Sequence, residues 1–203
     1  MNHQTLLEGV HYLESKDRML QSVVAQYGPP PLWEREQGFA TLIFIILEQQ
    51  VSLASARAAY DKLLMHMDPL TPDGFLGLTD DQLKGFGFSR QKTSYGCQLA
   101  NAILDKSLDL ANLADLDDEQ AKAQLMQVKG IGSWSADIYL LRALGRPDVW
   151  PSGDLALAVA VQRLRGLAAR PSPEELDSES RAWRPWRAVA ARILWHYYLN
   201  KSY

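Results

Sequence analysis

VKGIGSWSAD, residues 128–137, joins two helical patterns through a four-residue turn. On its amino side LMQV closes one run of helical spacing, and on its carboxyl side SWSADIYLL opens another. A helix ending near Val128 and a second opening at Ser133 or Trp134 make this a helix-hairpin-helix. Gly130 and Gly132 permit positive φ and leave backbone N–H groups uncovered, while the new helix points the positive end of its dipole the same way. Such a surface suits a phosphate and needs no large positive net charge. Leu125, Val128 and Ile131 supply an apolar underside. On spacing alone, a helix–helix corner that uses its glycines only to turn fits equally well.

Working outward, the chain of 203 residues is 47% apolar, enough for one sizeable core or two small lobes. No uninterrupted apolar run reaches the roughly 18 residues of a membrane span. The N-terminal stretch lacks a basic patch followed by an apolar segment, so a cytoplasmic protein is expected, nucleoid-associated in a bacterial host, with no membrane partner. A monomer is expected. The lone Cys97 excludes an internal disulfide and a four-cysteine iron–sulfur cluster. His3, His11, His66 and His196 show no zinc-binding spacing. Net charge is −3, yet residues 121–170 hold seven basic against three acidic side chains, a local +4 that leaves −7 for the remainder. A polyanion would meet this segment, although an ordinary solvated helix surface has the same charge.

Helical periodicity dominates, without a convincing alternating strand, and predicts an all-α fold of around ten short helices. One helical region precedes Gly28 and the proline run 29–31. The apolar stretch 38–67 reads as one central helix or as two meeting near Gln50–Ser52. Thr71, Thr79 with Gln82, Asp117, and Ser172 with Glu175 stand as N-caps, and Pro185 breaks the pattern before a final helix. Two lobes with a cleft are expected: about 35–145, ending in the hairpin motif over 125–144, and 1–34 with about 146–203.

Beyond the hairpin, LEQQVS (47–52), GFSRQKTSYGCQLA (87–100), WPSGD ending at Asp154, and WRPWRAVAARILW (183–195) carry a resemblance. Across roughly residues 32–198 the chain resembles the helix-hairpin-helix (HhH-GPD) DNA glycosylases, in particular the AlkA-type DNA-3-methyladenine glycosylases II. It has no room for the additional N-terminal domain of some AlkA-type members, so a minimal form is expected. The resemblance implies a DNA-binding cleft between the lobes and double-stranded DNA containing alkylated bases as partner. It makes Asp154 the catalytic carboxylate and places Trp134 and Trp150 at the extruded base. Lys129, Gly130, Ile131, Gly132 and Ser133 would hold the DNA backbone, and Arg90 and Lys92 would touch it. It puts Gln49 to Ser52 at the element that fills the gap left by the base, with Gln50 as the wedge. AlkA-type members can use an apolar residue there. Backbone carbonyls of Met126, Val128 and Ile131 would hold a Na+ or K+ ion; no other cofactor is implied.

Members that also cut the strand carry a lysine nucleophile at the position of Trp134. An indole forms no imine, so the resemblance implies a monofunctional enzyme in base excision repair. A purine methylated at N3 or N7 is cationic and departs with little or no protonation, so one carboxylate suffices where ordinary glycoside hydrolysis uses two. An indole face attracts such a cation by about 0.5–2 kcal/mol. The residues alone leave other roles open: Asp154 is also placed to cap the following helix, Trp134 and Trp150 to pack in a core, and the glutamines to hydrogen-bond a neighbouring turn. Trp183, Trp186 and Trp195 recur at helical spacing and read as core. A glycosylase for deaminated or mismatched bases and a non-catalytic damage-binding module are the alternative functions. A carboxylate facing a polyanion argues against the latter.

Overall fold

Wherever the sequence shows apolar spacing of three and four, the chain coils into helix. The computed structural model describes residues 1–201 and contains twelve α-helices and two short 3-10 turns among them. They gather into two compact units, residues 1–34 with 140–203 and residues 35–139.

The first unit holds α1 (His3–Lys16), α2 (Arg18–Tyr27), α10 (Leu155–Arg165), α11 (Pro173–Ser180) and α12 (Arg187–Asn200). Helix α12 is buried almost all round, from Ala188 through Trp195 and at Tyr197, and packs against α1, α2 and α10. A helix without a polar stripe is stable only as the centre of a core. Full burial of each large side chain such as Ile193 or Leu194 contributes about 1.5–3 kcal/mol. The one polar intruder, Arg192, donates to the carbonyls of Leu32 (2.8 Å), Ala188 (3.1 Å) and Leu141 (2.9 Å). Burial, together with the neighbouring Arg142 charge, pulls its pKa down to about 9. The start of α12 is tied to the 145–150 loop through Asp148, which accepts from the Arg187 backbone N–H (3.3 Å), Nε (3.0 Å) and Nη2 (2.9 Å).

The single N-terminal helical region expected from the sequence is instead two helices. Asp17 interrupts it because its Oδ1 caps α2, accepting from Met19 and Leu20 N–H, while Oδ2 accepts from the Trp183 indole at 2.9 Å.

The second unit is built on α3 (Phe39–Glu48), whose Leu42, Ile43, Ile45, Ile46 and Leu47 are essentially inaccessible to solvent. Around it lie α4 (Leu53–His66), α5 (Pro72–Leu76), α6 (Asp80–Phe86), α7 (Arg90–Leu104), α8 (Asp118–Met126) and the beginning of α9 (Ser133–Arg142). The apolar stretch is therefore two helices, α3 and α4, broken at residues 49–52. Thr71, Asp117 and both capping boxes cap helices as read from the sequence. Arg35 grips Glu48 with two hydrogen bonds (2.9 and 2.6 Å) and lies over the Phe44 ring.

The division between units falls inside α9, after Tyr139, rather than after residue 145. Gly145 marks where helical pattern ends, and a glycine is the punctuation that a sequence displays. Packing follows the side chains and carbonyls instead: Leu141 already serves the first unit through its bond with Arg192.

Candidate functional site

Helices α8 and α9 with the turn between them form the hairpin, which belongs to the second unit as far as Tyr139. Leu125, Val128 and Ile131 are buried beneath it, which anchors the turn by apolar contact. The Ile131 N–H closes the turn onto the Val128 carbonyl at 3.0 Å. Lys122 and Ser133 converge on the buried Asp137 at 2.8 and 3.3 Å, locking α8 to the first turns of α9.

The two hairpin glycines differ in kind. Gly130 has φ +100°, and a Cβ there would lie 2.6 Å from the Cβ and Cδ1 of Tyr95. The fold itself demands glycine at that position. Gly132 is exposed, lies outside the left-handed region, and a Cβ there would meet nothing within 4 Å. No packing neighbour requires a glycine there. Lys129 is exposed beside it, and Ser133 and Trp134 are half-buried at the start of α9.

A second element braces the turn. Gln49 Nε2 donates to the Gly130 carbonyl at 2.8 Å and contacts Ser135 Oγ at 2.9 Å. Next to it, Gln50 is exposed with φ +57°, an uncommon backbone for a residue with a side chain. Val51 and Leu53 are also exposed, so the α3–α4 turn presents a projecting tip. The paired glutamines thus divide: Gln49 takes the role of hydrogen-bonding a neighbouring turn, and Gln50 is left outward. Lys92, expected at a DNA backbone, turns inward, and its Nζ donates to the Leu47 carbonyl at 2.6 Å. Partial burial lowers its pKa, and the carbonyl end of α3 is where a cation is favoured. Arg90 is exposed.

Asp154 belongs to the first unit and is 8% exposed. The preceding turn is fixed by bonds from Ser152 N–H to the Trp150 carbonyl (2.9 Å), from Asp154 N–H to the Pro151 carbonyl (3.2 Å), and from Ser152 Oγ to Asp177 Oδ2 (2.9 Å). Asp154 caps α10, its Oδ1 accepting from Leu157 N–H at 3.0 Å. The same oxygen accepts from the Trp195 indole Nε1 at 3.2 Å. Above that indole, the Arg142 guanidinium lies 5.0 Å from the Trp195 ring centre and 6.0 Å from that of Trp33. Capping and a buried carboxylate site therefore coincide in one residue.

Trp150, which the resemblance puts at the base, packs beside Trp183. It is buried, with its ring 5.4 Å from that of Trp183, because the Val149–Pro151 segment runs through apolar surroundings before Ser152 turns the chain outward. Sequence reasoning missed Tyr95, and it read Trp195 as core without its bond to Asp154. The one available signal for Trp195 is chemical: a buried indole N–H needs an acceptor. No group of three or more His, Cys, Asp or Glu side chains suited to a metal occurs among the described residues, and none of their helices is long and apolar enough to cross a membrane.

Comparison with known proteins shows the family of the chain. A putative DNA-3-methyladenine glycosylase, YfjP of Bacillus subtilis, is 24% identical over 184 residues, which is 87% of this chain but only 64% of that protein. The alkylbase DNA glycosidase-like protein mag2 of Schizosaccharomyces pombe is 26% identical over 191 residues, 91% of this chain and 90% of its own. Among solved structures, a 3-methyladenine DNA glycosylase of the same yeast in complex with abasic DNA matches with a TM-score of 0.85 at 25% identity, covering 93% of this chain and 95% of that one. The family model of the HhH-GPD superfamily of base excision DNA repair proteins matches residues 43–185, well over half the chain, and this chain belongs to that superfamily.

Proposed function

We propose that the protein is a monofunctional DNA glycosylase that hydrolyses the N-glycosidic bond of alkylated purines in duplex DNA. The observation that carries the reading is Asp154: a carboxylate buried beneath solvent yet fixed in orientation at a helix N-terminus. Burial of an acidic group is costly unless fixed dipoles compensate, and a carboxylate so held is preorganised to face positive charge.

In the reaction, the C1′–N bond breaks with its electron pair leaving on the base. A 3-methyladenine or 7-methylguanine carries its positive charge before cleavage and leaves neutral, with no acid required. Charge then develops on the sugar, where Asp154 stabilises the oxocarbenium and orients the water whose oxygen bonds to C1′. The water's proton passes to the carboxylate or to solvent, and an abasic site remains. Trp134 supports the monofunctional reading, because it stands where a strand-cutting relative has its amine. Its half-exposed indole is suited to a cationic base, and damaged bases are cheaper to extrude.

The hairpin's uncovered backbone at Lys129 to Ser133 grips phosphate in this reading, and Gln50 at the projecting α3–α4 tip is the wedge. The Met126, Val128 and Ile131 carbonyls suit a Na+ or K+ ion: carbonyl oxygen is the donor such ions take, and Val128 retains a second lone pair beside its bond to Ile131. Relatives named as 3-methyladenine glycosylases, one of them solved on abasic DNA, support the substrate class.

The test is base release from methylated duplex DNA, with chromatography of the freed bases, a gel for breaks before alkali, and borohydride trapping. Free alkylpurines without breaks or trapped adduct are expected. A trapped adduct would overturn the monofunctional claim; release only from deaminated or mismatched duplexes would overturn the substrate claim.

A further inference from the structure

A buried acid that must orient a water and face an oxocarbenium needs its oxygens fixed in rotation as well as in place. In this chain a second donor arrives from α12. Leu157 N–H and Trp195 Nε1 both end on Oδ1 of Asp154, at 3.0 and 3.2 Å and from different elements. Two donors on one oxygen set the rotation of the carboxylate about its Cβ–Cγ bond. Trp195 is itself 6% exposed, so this bond is shielded from water. The guanidinium of Arg142 lies 5.0 Å from the centre of its ring and 6.0 Å from that of Trp33. A cation over an indole face withdraws electron density and makes the N–H a stronger donor.

We propose that Trp195 is a positioning residue: its indole N–H orients the Asp154 carboxylate for the reaction, and Arg142, over the faces of Trp195 and Trp33, holds that indole in place. The inference rests on the proposed glycosylase activity of Asp154. It separates Trp195 from Trp134, which acts on the base, and from Trp150 and Trp183, which pack against each other.

Trp195→Phe keeps an aromatic ring of nearly the same reach beneath Arg142 and removes only the N–H. Single-turnover base release from methylated duplex, affinity for a duplex carrying an abasic analogue, and thermal midpoint are read on the same preparations. A rate about tenfold lower, with affinity and fold unchanged, is expected. A rate equal to that of the unmutated protein, or a loss that tracks DNA affinity, would overturn the proposal. A second measurement does not depend on Trp195→Phe: in protein labelled with 15N-tryptophan, the Trp195 indole N–H resonance should move by a large amount on Asp154→Asn, which keeps an oxygen to cap α10. If it stays where it is, the hydrogen bond does not form in solution and the proposal fails. Absence of base release by the unmutated protein would instead remove the glycosylase reading, and this proposal with it.

Discussion

Replacing each hairpin glycine by alanine should produce opposite effects if, as proposed, the fold requires one and bound DNA the other. At Gly130, alanine would be forced to φ +100° with its methyl carbon 2.6 Å from two Tyr95 atoms. The backbone costs about 1–2 kcal/mol and the overpacking about 1–3 kcal/mol, a loss of about 2–5 kcal/mol together. For a chain of this size that lowers the thermal midpoint by about 4–20 °C. At Gly132 neither term arises, and alanine restricts the unfolded chain, so stability should hold or rise by up to about 1 kcal/mol. The methyl would instead hold a phosphate off the backbone. Losing one charge-assisted hydrogen bond costs about 1.5–3 kcal/mol, which is about a ten- to hundredfold weakening of DNA binding. Calorimetry of both variants and titration with a fluorescent abasic-analogue duplex at fixed salt measure the two effects. A Gly132→Ala variant that binds as tightly as the unmutated protein would refute the phosphate role of the hairpin. A Gly130→Ala variant with an unchanged midpoint would refute the packing argument.

Two further predictions concern the bracing of the second unit. Gln49→Leu removes the donor to the Gly130 carbonyl and the partner of Ser135 Oγ, costing about 1–3 kcal/mol; calorimetry should show that loss, and DNA titration should show weaker binding as the hairpin loosens. Tyr139 is buried, which raises its phenol above the ordinary 10.0, while the Gly38 N–H that it accepts at 3.0 Å acts in the opposite direction. Its protonated form is favoured by folding, so this contribution is full below pH 10 and is lost as pH rises through the higher folded value. Tyr139→Phe should therefore be less stable than the parent at pH 8 and lose less stability above pH 10, a convergence read from thermal midpoints across that range.

Much of this architecture is written locally. Caps at Thr71, Thr79, Asp117 and Ser172 are visible in sequence because a cap bonds within three residues of itself. The hairpin is visible for the same reason, and Asp154 through the family pattern. What stays hidden depends on partners distant in sequence. Asp17 splits the first helical region in company with Trp183, Gln49 reaches Gly130, and Trp195 reaches Asp154. Periodicity assigned Trp195 correctly to a buried face and could not say what its N–H would meet. Trp150 shows the converse: family position pointed to the base, and burial against Trp183 decides its surroundings. Lys92 likewise carries a charge that sequence reads as surface, until the Leu47 carbonyl near the end of α3 claims it.

The central claim is that Asp154 performs base release while the rest of the chain binds the DNA. Its most direct test is single-turnover release of 3-methyladenine from methylated duplex by Asp154→Asn, beside the affinity of the same variant for that duplex. Asparagine keeps an oxygen to cap α10, so the fold and the binding should survive. Loss of the preorganised charge should slow release by at least about a hundredfold. Near-normal release by the variant would contradict the account, since the carboxylate would then be a cap alone.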